Sequence, residues 1–204
     1  MRGPQLFSCQ DRRMAVVFVT GEIGAGKSSF CAALRDLGAD VISADDIVSD
    51  VYENQPDVLA RIEQSLGARV RHPNGSLDRE ALANLIFSSP DKRRAVEAIV
   101  HPKVSEVLLS HLNASTAPVT VYDVPIVRQR SGVADVMVNV VAPESVRLER
   151  LVSRGMSADD AKARITTQAD DKTRVQDFDV IIENVGSPEE LKQRAQQLFS
   201  EWAS

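Results

Sequence analysis

Cysteine is scarce in this sequence, which carries Cys9 and Cys31 among its 204 residues. Two thiols are too few for a disulfide scaffold, and their positions lack the spacing of metal-binding or redox cysteines. Charge of one sign does not dominate either, because the net charge of −5 comes from acidic and basic residues mixed along the chain. Without a basic stripe, we expect no nucleic-acid partner.

Long apolar runs are also lacking. No stretch approaches the roughly 18 apolar residues that a membrane-spanning helix needs, so no membrane partner is expected. Residues 1–13 have no apolar segment of the signal-peptide type, and we expect them to form a disordered extension before Met14. The predicted location is therefore the cytoplasm.

The sequence is rich in short apolar runs that alternate with helical patterns. The runs predict five strands, at residues 15–20, 40–43, 119–124, 136–141 and 178–182. Helical spacing predicts helices at 27–37, 45–52, 146–154, 158–168 and 188–202, and a mostly helical stretch from 55 to 113 with a turn at 72–75. This alternation indicates an α/β domain over residues 14–204, with a five-stranded parallel sheet flanked by helices.

A glycine-rich loop follows the first predicted strand and gives the strongest functional signal. Residues 21–28 read G-E-I-G-A-G-K-S, which matches the P-loop pattern G-x-x-x-x-G-K-[ST] in full. Its glycines let consecutive backbone N–H groups form an anion nest at a helix N-terminus, Lys27 reaches the β- and γ-phosphates, and Ser28 offers a hydroxyl to Mg²⁺. The alternative is a glycine turn without a ligand. The predicted ATP-binding residues are Gly21, Ile23, Gly24, Ala25, Gly26, Lys27, Ser28 and Ser29.

Two arginine-rich helices before the last strand favour a kinase over other P-loop proteins. They carry Arg147, Arg150, Arg154 and Arg164 within a predicted helical lid at about 144–176. A closing lid excludes water, so that an acceptor hydroxyl receives the phosphoryl group. No guanine-recognition motif follows the loop, which argues against a GTPase.

Several motifs in one order resemble the dephospho-CoA kinase family, and the resemblance covers nearly all of the chain from Ala15 onward. The segments are T-G-x-I-G-x-G-K-S at 20–28, V-I-x-A-D-x-I at 41–47, L-D-R-x-A-L and I-F within 77–87, E-x-I-x-H-P-x-V at 97–104, D-x-P at 123–125, R-L-x-R at 147–150, R-I-x-x-Q at 164–168 and D-V-I-x-x-N-x-G at 179–186. The resemblance implies a P-loop fold with a helical acceptor-binding insert at about 53–115. It also implies phosphorylation of the ribose 3′-hydroxyl of dephospho-CoA by ATP and Mg²⁺.

The resemblance also implies roles for three charged residues. Asp45 matches the carboxylate that the family places near the acceptor hydroxyl, and the alternative is an N-cap of the following helix. Asp123 ends the third strand and would join Ser28 at Mg²⁺, unless it is a plain turn residue. Arg150 resembles the lid arginine that covers the adenine or the phosphates, so Asp45, Lys27 and Arg150 are the predicted catalytic residues. The alternative for Arg150 is a solvated charge.

Two further matches are weaker. His101 falls in the insert that would hold the acceptor, although a lone histidine is often structural. Asn184 resembles a turn residue beside the adenine, and an ordinary turn is the alternative.

Departures from the family pattern leave rival interpretations open. The departures are Ser43 in place of an aspartate, Arg128 and Gln129 after the D-x-P segment, a shorter loop at 130–133, and Asp171 with Lys172 in the lid. The rivals are another small-molecule P-loop kinase, acting on a nucleoside, nucleotide or sugar acid, and a nucleotide-binding homologue that has lost catalysis. The expected assembly is a monomer or a weak homo-oligomer.

Overall fold

The computed structural model describes residues 14–125, 127, 130–169 and 177–204. The predicted extension at 1–13 and the departures at Arg128, Gln129, Asp171 and Lys172 lie outside these residues. The chain divides into two compact units, one formed by residues up to Ser43 and from Ser115 onward, the other by Ala44–Ala114.

The described residues form five strands and eight helices. The strands are β1 (Ala15–Gly21), β2 (Asp40–Ser43), β3 (Val119–Asp123), β4 (Val136–Val141) and β5 (Val180–Glu183). The helices are α1 (Lys27–Asp36), α2 (Ala44–Asn54), α3 (Pro56–Leu66), α4 (Arg79–Phe87), α5 (Pro90–Ala114), α6 (Glu144–Ser153), α7 (Ala158–Ala169) and α8 (Pro188–Trp202).

The first unit is built on one parallel sheet with the strand order β2-β3-β1-β4-β5. β1 lies at the centre and is buried from Val16 to Gly21, as expected of a strand in a parallel sheet covered on both faces. Phe30 and Leu34 of α1 and Leu198 of α8 pack into the core beside it. The predicted α/β class with five parallel strands is therefore confirmed.

The last strand begins later than its apolar run suggested, at Val180 instead of residue 178. Asp179 directs its side chain toward β4, where Oδ2 accepts hydrogen bonds from Met137 N at 2.7 Å and from Arg130 Nη2 at 2.8 Å. The guanidinium of Arg130 holds the pKa of Asp179 below its ordinary value. The carboxylate therefore anchors the approach to β5.

Helix ends follow the local sequence. Gly38 has a φ of +99° immediately after the α1 C-cap, a conformation that favours glycine. At α8, Ser187 and Glu190 form a capping box, with Pro188 in the first helical turn. Both boundaries are readable from residue type.

The second unit consists of α2 to α5 and the turn between α3 and α4. The predicted turn at 72–75 is confirmed, with Gly75 N donating to His72 O at 2.9 Å. Glu63 on α3 pairs with Arg71 before this turn, and the pKa of Glu63 is lowered by that hydrogen bond. α5 continues through Pro102, which has no N–H to donate to the preceding helical turn. In the described part of the chain, no helix combines the length and apolar character that a bilayer crossing requires.

Candidate active site

The glycine loop joins the central strand to α1, so that its backbone lies at the carboxyl edge of the sheet. Gly26 is the N-cap residue of α1, and the first turn of that helix contains no acidic side chain. Ala25 N donates to Glu22 O at 3.0 Å, which curls the loop before the helix begins. The N-terminal amides of α1 therefore form a positive terminus without an internal carboxylate, as an anion site requires.

Close packing, and not only backbone conformation, requires glycine in this loop. A Cβ at Gly21 would lie 2.8 Å from Val140 O. At Gly26, where φ is +103°, a Cβ would collide with the side-chain amide of Asn184. Asn184 is therefore a direct neighbour that excludes a side chain at Gly26.

Three side chains from distant segments hold the loop backbone. Asn184 Nδ2 and Arg150 Nη1 both donate to Ala25 O, at 2.7 and 3.3 Å. Gln168 Oε1 accepts from Ile23 N at 2.7 Å. Asn184 follows β5 and is buried, whereas Arg150 and Gln168 come from α6 and α7. Gln168 ends the R-I-x-x-Q motif, and nothing in that motif predicted its contact with the loop.

Lys27 and Asp123 form an ion pair at the start of α1. Asp123 is the last residue of β3, level with Val19 on β1 and Ser43 on β2. The structure thus brings together a predicted phosphate-binding cation and a predicted metal-binding carboxylate. Beneath them, burial, followed by the Asp123 charge, raises the pKa of Cys31 from 9.0 to about 12.

A cavity of about 280 Å³ opens over the loop. Six of the predicted ATP-binding residues line it: Gly21, Ile23, Gly24, Gly26, Lys27 and Ser28. They are joined by Glu22, Pro125, Leu151, Arg154 and Gln168. Of the two remaining predicted residues, Ala25 is buried behind the loop and Ser29 is exposed on α1.

Arg147 is buried against this loop, although the sequence analysis placed it among lid arginines. Its Nη1 lies 3.4 Å from Glu22 Oε2, and its backbone oxygen would be 2.9 Å from a Cβ at Gly24. Both Nε and Nη1 are buried, and among the described residues they have no hydrogen-bond partner. Arg147 therefore contributes buried positive charge behind the phosphate loop.

Asp45 and His101 belong to the second unit. Asp45 is an exposed residue in the first turn of α2, and since that helix begins at Ala44, Asp45 lies inside it and not at its N-cap. His101 is exposed on α5, beside Pro102. Their proposed contacts with the acceptor stay predictions.

Comparison with known proteins places the chain among its relatives. The family model of dephospho-CoA kinase matches residues 15–190. The chain belongs to the dephospho-CoA kinase family. Proteins named dephospho-CoA kinase from Frankia casuarinae and Anaeromyxobacter dehalogenans are 36% and 38% identical to it, over 92% of this chain and 83% and 92% of theirs. The resemblance inferred from the motifs is therefore confirmed.

Solved structures share the fold of this chain. The crystal structure of TT1252 from Thermus thermophilus has a TM-score of 0.77 and 30% identity, covering 93% of this chain and 98% of that one. Dephospho-CoA kinase from Campylobacter jejuni, at 24% identity and a TM-score of 0.58, covers 94% and 98% and supports the fold.

Proposed function

We propose that this chain transfers the γ-phosphate of ATP to the ribose 3′-hydroxyl of dephospho-CoA, giving coenzyme A and ADP in the last step of coenzyme A synthesis. Membership in the dephospho-CoA kinase family carries the proposal, and it favours this acceptor over those of other P-loop kinases. The reaction is assigned to the cytoplasm as part of the proposal.

The phosphate loop supplies most of the nucleotide binding. A trans peptide directs its carbonyl and its N–H to opposite sides. Because Asn184 and Arg150 hold Ala25 O on one side, the N–H of Gly26 is directed to the other. We infer that this amide joins the N-terminal amides of α1 in binding the β- and γ-phosphates, with Lys27 as the mobile cation.

Oxygen ligands beside the loop suit Mg²⁺. The Ser28 hydroxyl and the Asp123 carboxylate are hard donors of the kind this ion prefers, and Asp123 already neutralises Lys27 in this structure. We propose that Asp123 binds the ion, directly or through water, while Lys27 turns to the phosphates. Bound Mg²⁺ would neutralise charge on the phosphate oxygens.

Asp45 is the proposed proton acceptor. Its carboxylate is exposed in the first turn of α2, two residues after the end of β2. The acceptor 3′-oxygen forms a bond to the γ-phosphorus, its proton passes to Asp45, and the bond from that phosphorus to ADP breaks. His101 is proposed to contact the acceptor from α5 of the same unit.

The test is ADP release from ATP and Mg²⁺ in the presence of dephospho-CoA. We expect Asp45→Asn to lower kcat by about 10²- to 10⁴-fold, the range of general-base catalysis, without weakening ATP binding. Asp46→Asn is the matched control, because Asp46 is the neighbouring exposed carboxylate in the same turn. We expect Lys27→Ala to lose both activity and ATP affinity.

Two outcomes would contradict the proposal. Turnover of another hydroxyl with none of dephospho-CoA would indicate a different small-molecule kinase. ATP binding by the wild type without turnover of dephospho-CoA would indicate a homologue without catalysis.

A further inference from the structure

One face of α2 in the second unit carries three polar side chains in line. Asp45, Ser49 and Tyr52 recur at a spacing of four and three residues, which places them on the same side of a helix. The opposite side holds the buried residues Ala44, Ile47 and Val51. The proposed proton acceptor thus stands at the N-terminal end of a polar stripe.

Arg79, the first residue of α4, reaches the middle of this stripe. Its Nη2 donates to Ser49 Oγ at 3.1 Å and lies 3.8 Å from Glu53 Oε1. Burial raises the pKa of Tyr52, and the Arg79 charge opposes that rise, which is consistent with the guanidinium lying close to the stripe.

The Arg79 guanidinium is held by its hydrogen bond to Ser49, and this bond uses one of its N–H donors. Both of its described contacts use Nη2, one of them is longer than a hydrogen bond, and 62% of the side chain is exposed. A guanidinium has five N–H donors, arranged in a fork that matches phosphate oxygens. Arg79 therefore keeps donors directed to solvent on the face that carries Asp45.

The spacing along α2 suits a nucleotide. Asp45 and Ser49 are separated by about 6 Å along the helix axis at 1.5 Å per residue. The 3′-hydroxyl and the 5′-phosphate of one ribose are joined through a few covalent bonds, a separation on the order of one helical turn, ~5 Å. A ribose with its 3′-hydroxyl at Asp45 can therefore place its 5′-phosphate beside Arg79.

We propose that Arg79 binds the diphosphate of dephospho-CoA and so determines that the 3′-hydroxyl of a 5′-diphosphate nucleotide is the group presented to Asp45. The inference rests on the proposed function, for which it names an acceptor-specificity residue. Ser49 orients the guanidinium, and Glu53 is the carboxylate that the diphosphate replaces.

The experiment compares Arg79→Gln with wild type for two ligands that share the adenosine group, of which only one carries the 5′-diphosphate and the pantetheine arm. Dephospho-CoA is the acceptor, and adenosine is measured as a competitive inhibitor against it. We expect the KM for dephospho-CoA to rise roughly 10- to 100-fold, as for loss of a charge-assisted contact. The inhibition constant of adenosine, the KM for ATP and kcat should stay within a few-fold.

Three further variants separate recognition from structure. Arg79→Lys should bind dephospho-CoA more tightly than Arg79→Gln does, because lysine keeps the positive charge but lacks the paired donors of the guanidinium. Glu53→Gln should lower the KM for dephospho-CoA by removing a competing carboxylate. Arg93→Gln, an exposed arginine that pairs with Glu97 on α5, should change nothing.

The inference is overturned if Arg79→Gln leaves the KM for dephospho-CoA unchanged or weakens adenosine equally. It is also overturned if Glu53→Gln mimics Arg79→Gln, since both would then act by loosening α4 from α2. A wild type that does not phosphorylate dephospho-CoA refutes the proposed function itself. In that case, calorimetry measures the binding of dephospho-CoA to wild type and to Arg79→Gln without ATP. The proposed role of Arg79 is retained only if Arg79→Gln weakens this binding at least 10-fold.

Discussion

A Cβ at Gly26 would collide with the side-chain amide of Asn184, so Gly26→Ala tests this contact. The alanine would adopt a φ near +103°, a conformation that costs about 1–3 kcal/mol outside glycine. Its Cβ would also displace Asn184 from Ala25 O, and a buried carbonyl that loses a donor costs about 1–3 kcal/mol. We expect Gly26→Ala to lower the free energy of unfolding by roughly 2–6 kcal/mol, the sum of these terms.

Two matched variants separate strain from collision. Gly38 has a similar φ of +99°, but in the described part of the chain no atom lies within 4 Å of the position its Cβ would take, so Gly38→Ala measures strain alone. In an Asn184→Ala background the collision partner is gone. Gly26→Ala should then cost about as much as Gly38→Ala. Gly26→Ala and Asn184→Ala should be less than additive by about 1–3 kcal/mol, because both remove the same donor from Ala25 O.

Urea unfolding followed by circular dichroism provides the measurement, with the unfolding midpoint compared at constant slope. ATP affinity, measured on the same variants, should fall for Gly26→Ala in both backgrounds, because the strained loop no longer presents its amides. Strict additivity of Gly26→Ala and Asn184→Ala would refute the reasoning. It would mean that the Asn184 amide does not lie over Gly26.

Two further predictions follow from single contacts at the site. Gln168→Ala should weaken ATP binding about 2- to 10-fold, since Ile23 N loses its acceptor and a typical hydrogen bond contributes about 1 kcal/mol; nucleotide titration by calorimetry checks it, and unchanged affinity contradicts it. Cys31 should resist alkylation at pH 8 in the folded protein, measured in a variant without the other cysteine. The pKa of its thiol is raised to about 12 in the folded protein, from 9.0 in the unfolded chain. The free energy of unfolding should therefore fall as the pH rises above 9.0, and it should fall more gently in Cys31→Ala.

Much of the sheet could be predicted because its strands carry their own signal. Residues 15–20 form a continuous apolar run, and β1 is buried on both faces in the structure. The loop motif contains glycines at positions where a Cβ would collide with neighbouring atoms, and it places Lys27 at the start of α1. Gly38 marks the end of α1 for the same local reason, a positive φ. These features depend on residue type and short spacing, which a sequence displays directly.

The contacts that hold the loop could not be predicted, because they join distant parts of the chain. Gln168 and Ile23 are 145 residues apart, and Asn184 and Ala25 are 159 apart. Gln168 lies near the end of α7, and Asn184 follows β5. At such positions the residue type fits an ordinary turn as well as it fits a contact with the loop. The resemblance identified Asn184 and associated it with the adenine, which stays a prediction; the hydrogen bond from its amide to the loop was not predicted.

These contacts explain how a loop of small residues keeps one conformation. Glycine adds freedom to the unfolded loop, so the amide cradle needs external restraint to stay ordered. The restraint acts on backbone groups of the loop: Ala25 O is held by Asn184 and Arg150, and Ile23 N by Gln168. Because trans peptides direct N–H and C=O to opposite sides, fixing Ala25 O also fixes the direction of the next amide. Order at the phosphate site is thus supplied from α6, α7 and the end of β5, so that substitutions of these three side chains should weaken ATP binding by loosening the loop.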